Sequence, residues 1–261
     1  MELSGAPQGT QVVRRVVALL RMISTAGGAG VRLAELVESS GLTKPTVHRL
    51  LKSLAAEGLI DRDDVSGRWF LGPELYVMGS ASASRFPIEE IAHPSVKRLA
   101  AATSESAFLS MRRGNETICL LREEGSFPIR SFVLVEGTRF PLGVGSAGLA
   151  ILAHLEPAER EAALAELDLG SGRWGAGQSI AAIRSTIAAA QSVGWVVNPG
   201  RIVEGSWGMA AAIFDKANRP MWALTITGIE ARFLPARQNE LGQQLLLEAH
   251  RVTRALRAAA G

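Results

Sequence analysis

Cysteine occurs once in these 261 residues, at Cys119. An intrachain disulfide framework is therefore excluded, and a lone thiol fits a reducing cytoplasm. Histidine is nearly as scarce: the four, His48, His93, His154 and His250, never stand at metal-ligand spacing with one another or with the cysteine. No G-x-S-x-G elbow presents a nucleophilic serine. No apolar run approaches the roughly 20 residues needed to cross a bilayer, and residues 1–10 are polar, with none of the pattern of a secretory leader. Nor is one sign of charge in large excess. Lys and Arg number 28 against 25 Asp and Glu, a net +3, so nucleic-acid binding cannot be argued from total charge, only from where the cations sit. Cys119 lies among Ile118, Leu120 and Leu121 on a strand pattern and reads as a packed apolar residue. His154, on an apolar helix, reads as a core histidine. The composition, 47% hydrophobic and 20% charged, is that of a globular chain with room for one large or two ordinary domains.

The most informative stretch is 41–58, a helix with a defined start and stop. Thr43 is placed to accept a hydrogen bond from an unpaired N–H one turn on. Pro45 falls in the first turn, where a missing N–H costs little, and Gly58 supplies the end. Val47, Leu50, Leu51 and Leu54 recur at i, i+3, i+4, i+7 and make one apolar stripe. The opposite face carries Lys44, Thr46, His48, Arg49, Lys52 and Ser53, all hydrogen-bond donors and three of them cations. Such a face suits a major groove, where Lys and Arg reach phosphates or guanine edges and Ser and Thr reach either; it is also what a merely solvated helix face looks like. The neighbours bear on the choice. A short helix over 33–40 and the tight turn Ser40-Gly41-Leu42 precede it, which is the helix-turn-helix arrangement. Two short strands, 59–62 and 68–71, flank the Gly-containing turn 63–67 and read as a hairpin, here a wing.

These residues carry a resemblance. The run Gly9-Thr10-Gln11, Leu33-Ala34-Glu35-Leu36, Gly41-Leu42-Thr43-Lys44-Pro45-Thr46-Val47-His48-Arg49-Leu50-Leu51, Gly58-Leu59-Ile60 and Phe70-Leu71-Gly72-Pro73 closely resembles the IclR type of bacterial transcriptional regulator. The match covers about the first third of the chain. It implies a winged helix-turn-helix domain over 1–72, a linker helix and hinge over 73–86, and an α+β effector domain over 87–261, similar to a GAF/profilin-like sheet. The DNA-facing set becomes Lys44, Pro45, Thr46, His48, Arg49, Lys52 and Ser53, with Arg68 from the wing.

Along the rest of the chain, a first helix runs over 10–26. Its Arg14, Arg15 and Arg21 are a solvated face, a phosphate contact or a dimer seam. A linking helix spans 73–84, and Ser80-Ala81-Ser82-Ala83-Ser84 marks a hinge. The second part alternates helices over 88–103 (perturbed at Pro94), 149–155, 158–167, 180–193 and 235–259 with strands over 107–111, 117–122, 129–135, 195–197, 208–214 and 221–227. A Gly-rich loop lies at 170–177. Hairpins mixed with helices argue α+β, with helices against a sheet.

Gly143-Val144-Gly145-Ser146-Ala147-Gly148 satisfies G-x-G-x-x-G, and Asp168 stands near the spacing of an acidic ribose ligand. A dinucleotide site is nonetheless rejected. Pro141 interrupts the strand that should lead in, and the following segment is a second helix where a crossover to a parallel strand is required. What remains is a Gly/Ser loop opening a helix: either a tight turn before a packed helix, or a set of N–H groups that receives a carboxylate. Over 221–228 the residues alternate, so Leu224 and Ile226 face one way while Thr225 and Thr227 face the other. The threonines are either strand filling or the polar lining of a pocket, and the resemblance implies the pocket. It also places Asn198 and Gly208 at the site's border. There relatives carry an acidic residue and a more polar or thiol-bearing one, departures that leave the ligand's identity open. The candidate ligand set is Gly145, Ser146, Ala147, Gly148, Asn198, Gly208, Thr225 and Thr227, with Met111, Leu121 and Met209 as apolar walls.

The reading is a cytoplasmic, ligand-responsive regulator, a homodimer or homotetramer on a pseudo-palindromic double-stranded DNA operator. Its effector is a small organic acid or related aromatic metabolite, and it has no cofactor, no metal and no membrane partner. The alternatives are an enzyme on a small acid tethered to DNA by its first domain, and a ligand-free architectural DNA binder.

Overall fold

The computed structural model describes residues 10–83, 87–129, 133–169, 174 and 178–259. The chain divides into two units, Met1–Phe86 and Pro87–Gly261. In the first, helices α1 (Gln11–Ala26), α2 (Leu33–Ser40) and α3 (Lys44–Ala56) are followed by strands β1 (Ile60–Arg62) and β2 (Trp69–Leu71) and by helix α4 (Pro73–Ala83). The apolar stripe of α3, Val47, Leu50, Leu51 and Leu54, is buried against Leu19 and Ile23 of α1, Leu36 of α2, Ile60 and Trp69. Gly41, at φ +65, turns the chain between α2 and α3, and the Leu42 N–H donates to Ser40 Oγ at 3.3 Å. β1 and β2 pair antiparallel, Ile60 opposite Leu71 and Arg62 opposite Trp69.

The ends of α3 separate two kinds of signal. At its C-terminus the Leu59 N–H donates to the Leu54 carbonyl and the Gly58 N–H to the Ala55 carbonyl, both at 3.0 Å, with Gly58 at φ +67. That is the Schellman pattern a glycine in this place favours. At its N-terminus the expected cap is not made: Thr43 Oγ1 lies 2.9 Å from Thr46 Oγ1 and bonds no backbone N–H. A hydroxyl one turn on competes for the same oxygen.

The second unit is built on a six-stranded sheet in the order β5-β4-β3-β8-β7-β6. Its strands are β3 (Ser106–Arg113), β4 (Glu116–Glu123), β5 (Arg139–Pro141), β6 (Val196–Pro199), β7 (Ser206–Phe214) and β8 (Pro220–Ile229). Every neighbouring pair is antiparallel. Helices α5 (Ile88–Thr103, with Pro94 inside it) and α9 (Pro235–Ala258) cover one face; they pack Val96, Leu99, Leu241 and Leu245 on Leu109, Met209, Ala211, Leu224 and Ile226. On the other face, α6 (Ser146–His154), α7 (Pro157–Ala165) and α8 (Ile180–Val193) meet the small residues Ala210 and Ala223. Alternation along β8 thus sends Leu224 and Ile226 into one layer and Ala223 and Thr225 toward the other, as the pleat requires.

Three expectations need correction. Ile129 and 133–135 belong to no strand, and 130–132 lie outside the described residues. Among the described residues pairing with β4 starts at the turn, where the Gly137 N–H donates to the Cys119 carbonyl and the Cys119 N–H to the Thr138 carbonyl, and the next described strand after β4 is β5. Residues 80–83, read as a hinge, continue helix α4, because Ser and Ala tolerate a helix when nothing such as Gly or Pro breaks it; Ser84 lies outside the described residues. Helix α6 begins at Ser146, three residues before the apolar run that announced it. Of the Gly-rich loop 170–177, only Trp174 is described.

A buried carboxylate ties the end of the sheet to α9. Glu105, 1% exposed, accepts Arg232 Nε at 2.7 Å and Arg237 Nη1 at 2.8 Å, and Arg237 Nη2 donates to the Thr103 carbonyl at 2.6 Å. Removing one member of a buried pair leaves the others desolvated without compensation. Glu105→Gln is expected to destabilise the protein by about 2–4 kcal/mol. Urea unfolding would register this as a lower midpoint for the second unit with an unchanged slope.

Candidate functional site

Two groups of side chains stand out, one in each unit. On α3, Lys44, Pro45, His48, Arg49, Lys52 and Ser53 are exposed and Thr46 is half-buried, an arrangement forced by burial of the stripe on the opposite side. Among the described residues Lys44, Arg49 and Lys52 have no carboxylate partner. Ser53 Oγ donates to the Arg49 carbonyl at 3.2 Å, so it is partly occupied within the helix. Arg68 is placed differently from the others. Its Nη1 donates to the Gly30 carbonyl at 2.9 Å, and the guanidinium braces the wing against the loop before α2. Arg62, which the sequence reading passed over, is exposed on β1 with its guanidinium 5.9 Å from the Trp69 ring centroid. Its signal was the cross-strand position opposite an aromatic.

In the second unit, a cavity of about 520 Å³, counting the part open to solvent, lies between the sheet and the start of α6. Gly145, Ser146 and Ala147 line it at the helix N-terminus, Thr225 and Thr227 from β8, Gly208 from β7 and Asn198 from β6. The first-turn N–H groups of a helix have no partner within it, so α6 directs donors and the positive end of its dipole into this space. Among the described residues the lining holds none that is charged.

Asn198, 4% exposed, is oriented by its own hydrogen bond: Nδ2 donates to the Val144 carbonyl at 2.9 Å. Gln178 Nε2 donates to the same carbonyl at 3.0 Å. Reversing the Asn198 amide would set two oxygens against each other, so Oδ1 is the atom left over, an acceptor. Among the described residues it has no hydrogen-bond partner, and neither do Thr225 Oγ1 and Thr227 Oγ1. Buried polar atoms are nearly always satisfied, and each unsatisfied one costs roughly 1–3 kcal/mol. Three of them face one cavity, where a polar ligand or water can satisfy them.

The apolar walls differ from expectation. Met209 is fully buried in the layer of α5 and α9, and Leu121 packs against that layer. Met111, paired with Ile118 and Trp222, shares the face of Leu109 by alternation. All three lie across the sheet from the cavity, because strand neighbours of inward-facing residues point the other way. Gly148 also stays out of the lining: a Cβ there would stand 2.2 Å from the Leu142 carbonyl oxygen, so its role is close packing of α6. The walls are Leu134, Phe140, Ile202 and Trp207, with Ser110, Thr117, Thr138 and Ser206 adding hydroxyls. Applying the alternation used on β8 to β3 and β4 finds Ser110 and Thr117; the residues from loops carry no such periodic signal. Trp174 packs edge-on against Phe140, ring centroids 5.7 Å apart.

The remaining reactive groups are muted. Burial pushes the Cys119 thiol up to about 12, far from a thiolate at neutral pH. His154 is exposed at the end of α6 rather than in the core; it stacks edge-on to Phe214 at 5.2 Å, and partial desolvation of the ring lowers its pKa. Among the described residues no cluster of three or more His, Cys, Asp and Glu could hold a metal, and no helix is long and apolar enough to cross a membrane.

Gly208 admits Ser146 to the cavity wall. A Cβ on Gly208 would stand 2.4 Å from Ser146 Oγ but 3.6 Å from Ser146 Cβ and from the Ile226 carbonyl oxygen. Gly208→Ala should therefore cost about 1 kcal/mol, as overpacking does, and adding Ser146→Ala should restore most of it. A double-mutant cycle of thermal or urea unfolding measures the coupling.

Comparison with known proteins bears on both units. Residues 12–64 match the IclR helix-turn-helix domain, and residues 80–254 match the domain described as "Bacterial transcriptional regulator IclR C-terminal". The chain is 31% identical over 222 residues to the HTH-type transcriptional regulator KipR of Bacillus subtilis, covering 85% of this chain and 88% of that protein. It is 27% identical over 245 residues to the HTH-type transcriptional regulator BhcR of Paracoccus denitrificans, covering 94% and 87%. Among solved structures, an IclR homologue from Microbacterium hydrocarbonoxydans in complex with 4-hydroxybenzoate superposes with a TM-score of 0.77 at 24% identity, covering 95% of this chain and 99% of that one. With the donor-rich helix, the wing and the sheet-borne cavity in place, the chain belongs to the IclR family of bacterial transcriptional regulators, DNA-binding proteins that respond to small ligands.

Proposed function

We propose that DNA affinity in this regulator is set by a small organic acid bearing a hydrogen-bond donor, bound in the cavity at the start of α6. The unpartnered Asn198 Oδ1, Thr225 Oγ1 and Thr227 Oγ1 carry this reading. A carboxylate suits the N–H groups of Ser146 and Ala147, the hydroxyls of Thr225 and Thr227 add donors, and Asn198 Oδ1 requires a donor from the ligand. The apolar walls suit an aromatic or aliphatic body. 4-Hydroxybenzoate, the molecule in the related complex, has both polar ends. Named relatives that are regulators, together with a muted Cys119 and His154, favour reversible binding over turnover.

The first domain, 1–72, reads DNA through α3; 73–86 links it to an effector domain over 87–261. Val12, Val13 and Val17 of α1 and Tyr76, Val77 and Met78 of α4 are exposed large apolar residues, which supports a dimer or a larger homo-oligomer reading a pseudo-palindromic operator in the cytoplasm. The effector acts by preferring one arrangement of the oligomer, and operator affinity changes by its differential binding energy.

Thr225→Val keeps shape and removes one hydroxyl. Calorimetric titration with 4-hydroxybenzoate and a panel of small hydroxy acids should show affinity reduced by roughly 1–3 kcal/mol, with ligand-free operator binding unchanged. A parental response in both Thr225→Val and Ser146→Ala would move the site elsewhere. On α3, Arg49→Ala is expected to cost about 1–3 kcal/mol of specific binding, whereas Lys52→Ala should weaken operator and scrambled DNA alike and flatten the salt dependence. Operator titrations at two salt concentrations separate the two, and unchanged affinity in both variants would remove α3 from the groove.

A further inference from the structure

Arg201 is the residue near the cavity that the reading above leaves unused. It sits in the loop between β6 and β7, which begins at Gly200, φ +60, and closes at Gly205, φ +76. A Cβ on Gly200 would stand 3.5 Å from the Gly205 backbone nitrogen, so the loop's ends lie close together. Its next residue, Ile202, and the two that follow the loop, Ser206 and Trp207, line the cavity. The Arg201 guanidinium is half-buried, and its hydrogen bond, Nη1 to Thr186 Oγ1 at 2.9 Å, is to a neutral hydroxyl on α8. Among the described residues no carboxylate pairs with it, and desolvation alone holds its pKa below the usual arginine value.

Five other partly buried arginines of this unit have carboxylate partners. Arg112 pairs with Glu159 and Arg122 with Glu124. Arg139 pairs with Glu116, and Arg232 and Arg237 share Glu105. A desolvated guanidinium without a counter-charge is costly, and this one is the chain neighbour of Ile202, which lines a cavity with no charge among its described lining residues. The α6 N-terminus offers partial charge for one carboxylate. Among the described residues the lining supplies no full charge, and Arg201 is the cation on the loop that carries Ile202 into it. The segment leading into α8 and strand β6 meet at one point, since Gln178 and Asn198 share the Val144 carbonyl.

We propose that Arg201 selects for charge: the effector carries a second anionic group, a carboxylate, and Arg201 exchanges Thr186 Oγ1 for it. The bond is a charge-assisted, fork-shaped pair that a neutral hydroxyl cannot match. This inference rests on the cavity being the effector site.

The test is calorimetry on the full chain with two matched pairs of acids, butyrate against succinate and 4-hydroxybenzoate against benzene-1,4-dicarboxylate. The parent, Arg201→Gln and Arg201→Lys are compared, with thermal melts to verify folding. Arg201→Gln retains a donor for Thr186 and removes the charge; Arg201→Lys retains the charge. In at least one pair the parent should bind the dicarboxylate roughly ten- to a hundredfold more tightly than its monocarboxylate. Arg201→Gln should erase that preference and leave monocarboxylate affinity unchanged, and Arg201→Lys should restore part of it. Monocarboxylate binding with no dicarboxylate preference in the parent, a preference that survives Arg201→Gln, or equal losses for both acids would overturn the role given to Arg201 and leave the cavity reading standing. If none of the four acids binds saturably, the cavity reading falls and this inference with it.

Discussion

The pleat of the six-stranded sheet is the constraint on which the second unit depends. Both faces are covered by helices, so each strand must satisfy two different layers with alternate residues. On β7 and β8 the face toward α5 and α9 takes Met209, Ala211, Leu224 and Ile226, large enough to fill a core. The face toward α6 takes Gly208, Ala210, Ala223 and Thr225, small enough for a helix to come close. Where the small residues end and the threonines begin, the helix start and the sheet no longer fill the space between them. The cavity is a consequence of that change in side-chain size, and its polar atoms are those the close packing leaves over.

Close packing also fixes what the cavity offers. Gly148 lets α6 lie on the Leu142 carbonyl, and Gly208 lets Ser146 lie on β7. Asn198 and Gln178 converge on the Val144 carbonyl just ahead of the helix. The α6 N-terminus is thereby held against β6 and β7, which aligns its N–H groups with the hydroxyls of β8. A ligand there meets preorganised N–H donors, hydroxyls and the Asn198 Oδ1 acceptor, with no charge among the described lining residues.

In the first unit the governing demand falls on α3, which must bury one face and present the other. Four aliphatic residues meet the first demand by spacing alone, and spacing then dictates which donors are exposed. The wing follows from local rules as well: Gly30, at φ +61, lets the Phe70 ring lie against its backbone, while Val31 bridges to Trp69. Arg68 holds this corner through its bond to the Gly30 carbonyl.

The helix-turn-helix, the wing hairpin and the inward and outward sets of β8 were legible in the residues themselves, because each depends on periodicity or on a glycine conformation within a few positions of chain. Asn198, Gly208 and the α6 loop were nominated through resemblance and a local N-terminus signal, and the fold brought them around one cavity. The sequence by itself determined which residues face apart on one element. Only the tertiary structure decided which faces meet. Met111, Leu121 and Met209 were assigned to the wrong side because their strands' registers are set by hydrogen bonds to distant segments. The segment 129–135 was read as a strand because β-branched residues fit one, yet pairing is settled by a partner edge, and among the described residues after Ile129 β4 is engaged from Gly137 onward. Arg201 likewise carries no sequence signal: a guanidinium without a carboxylate is a property of what folding places around it.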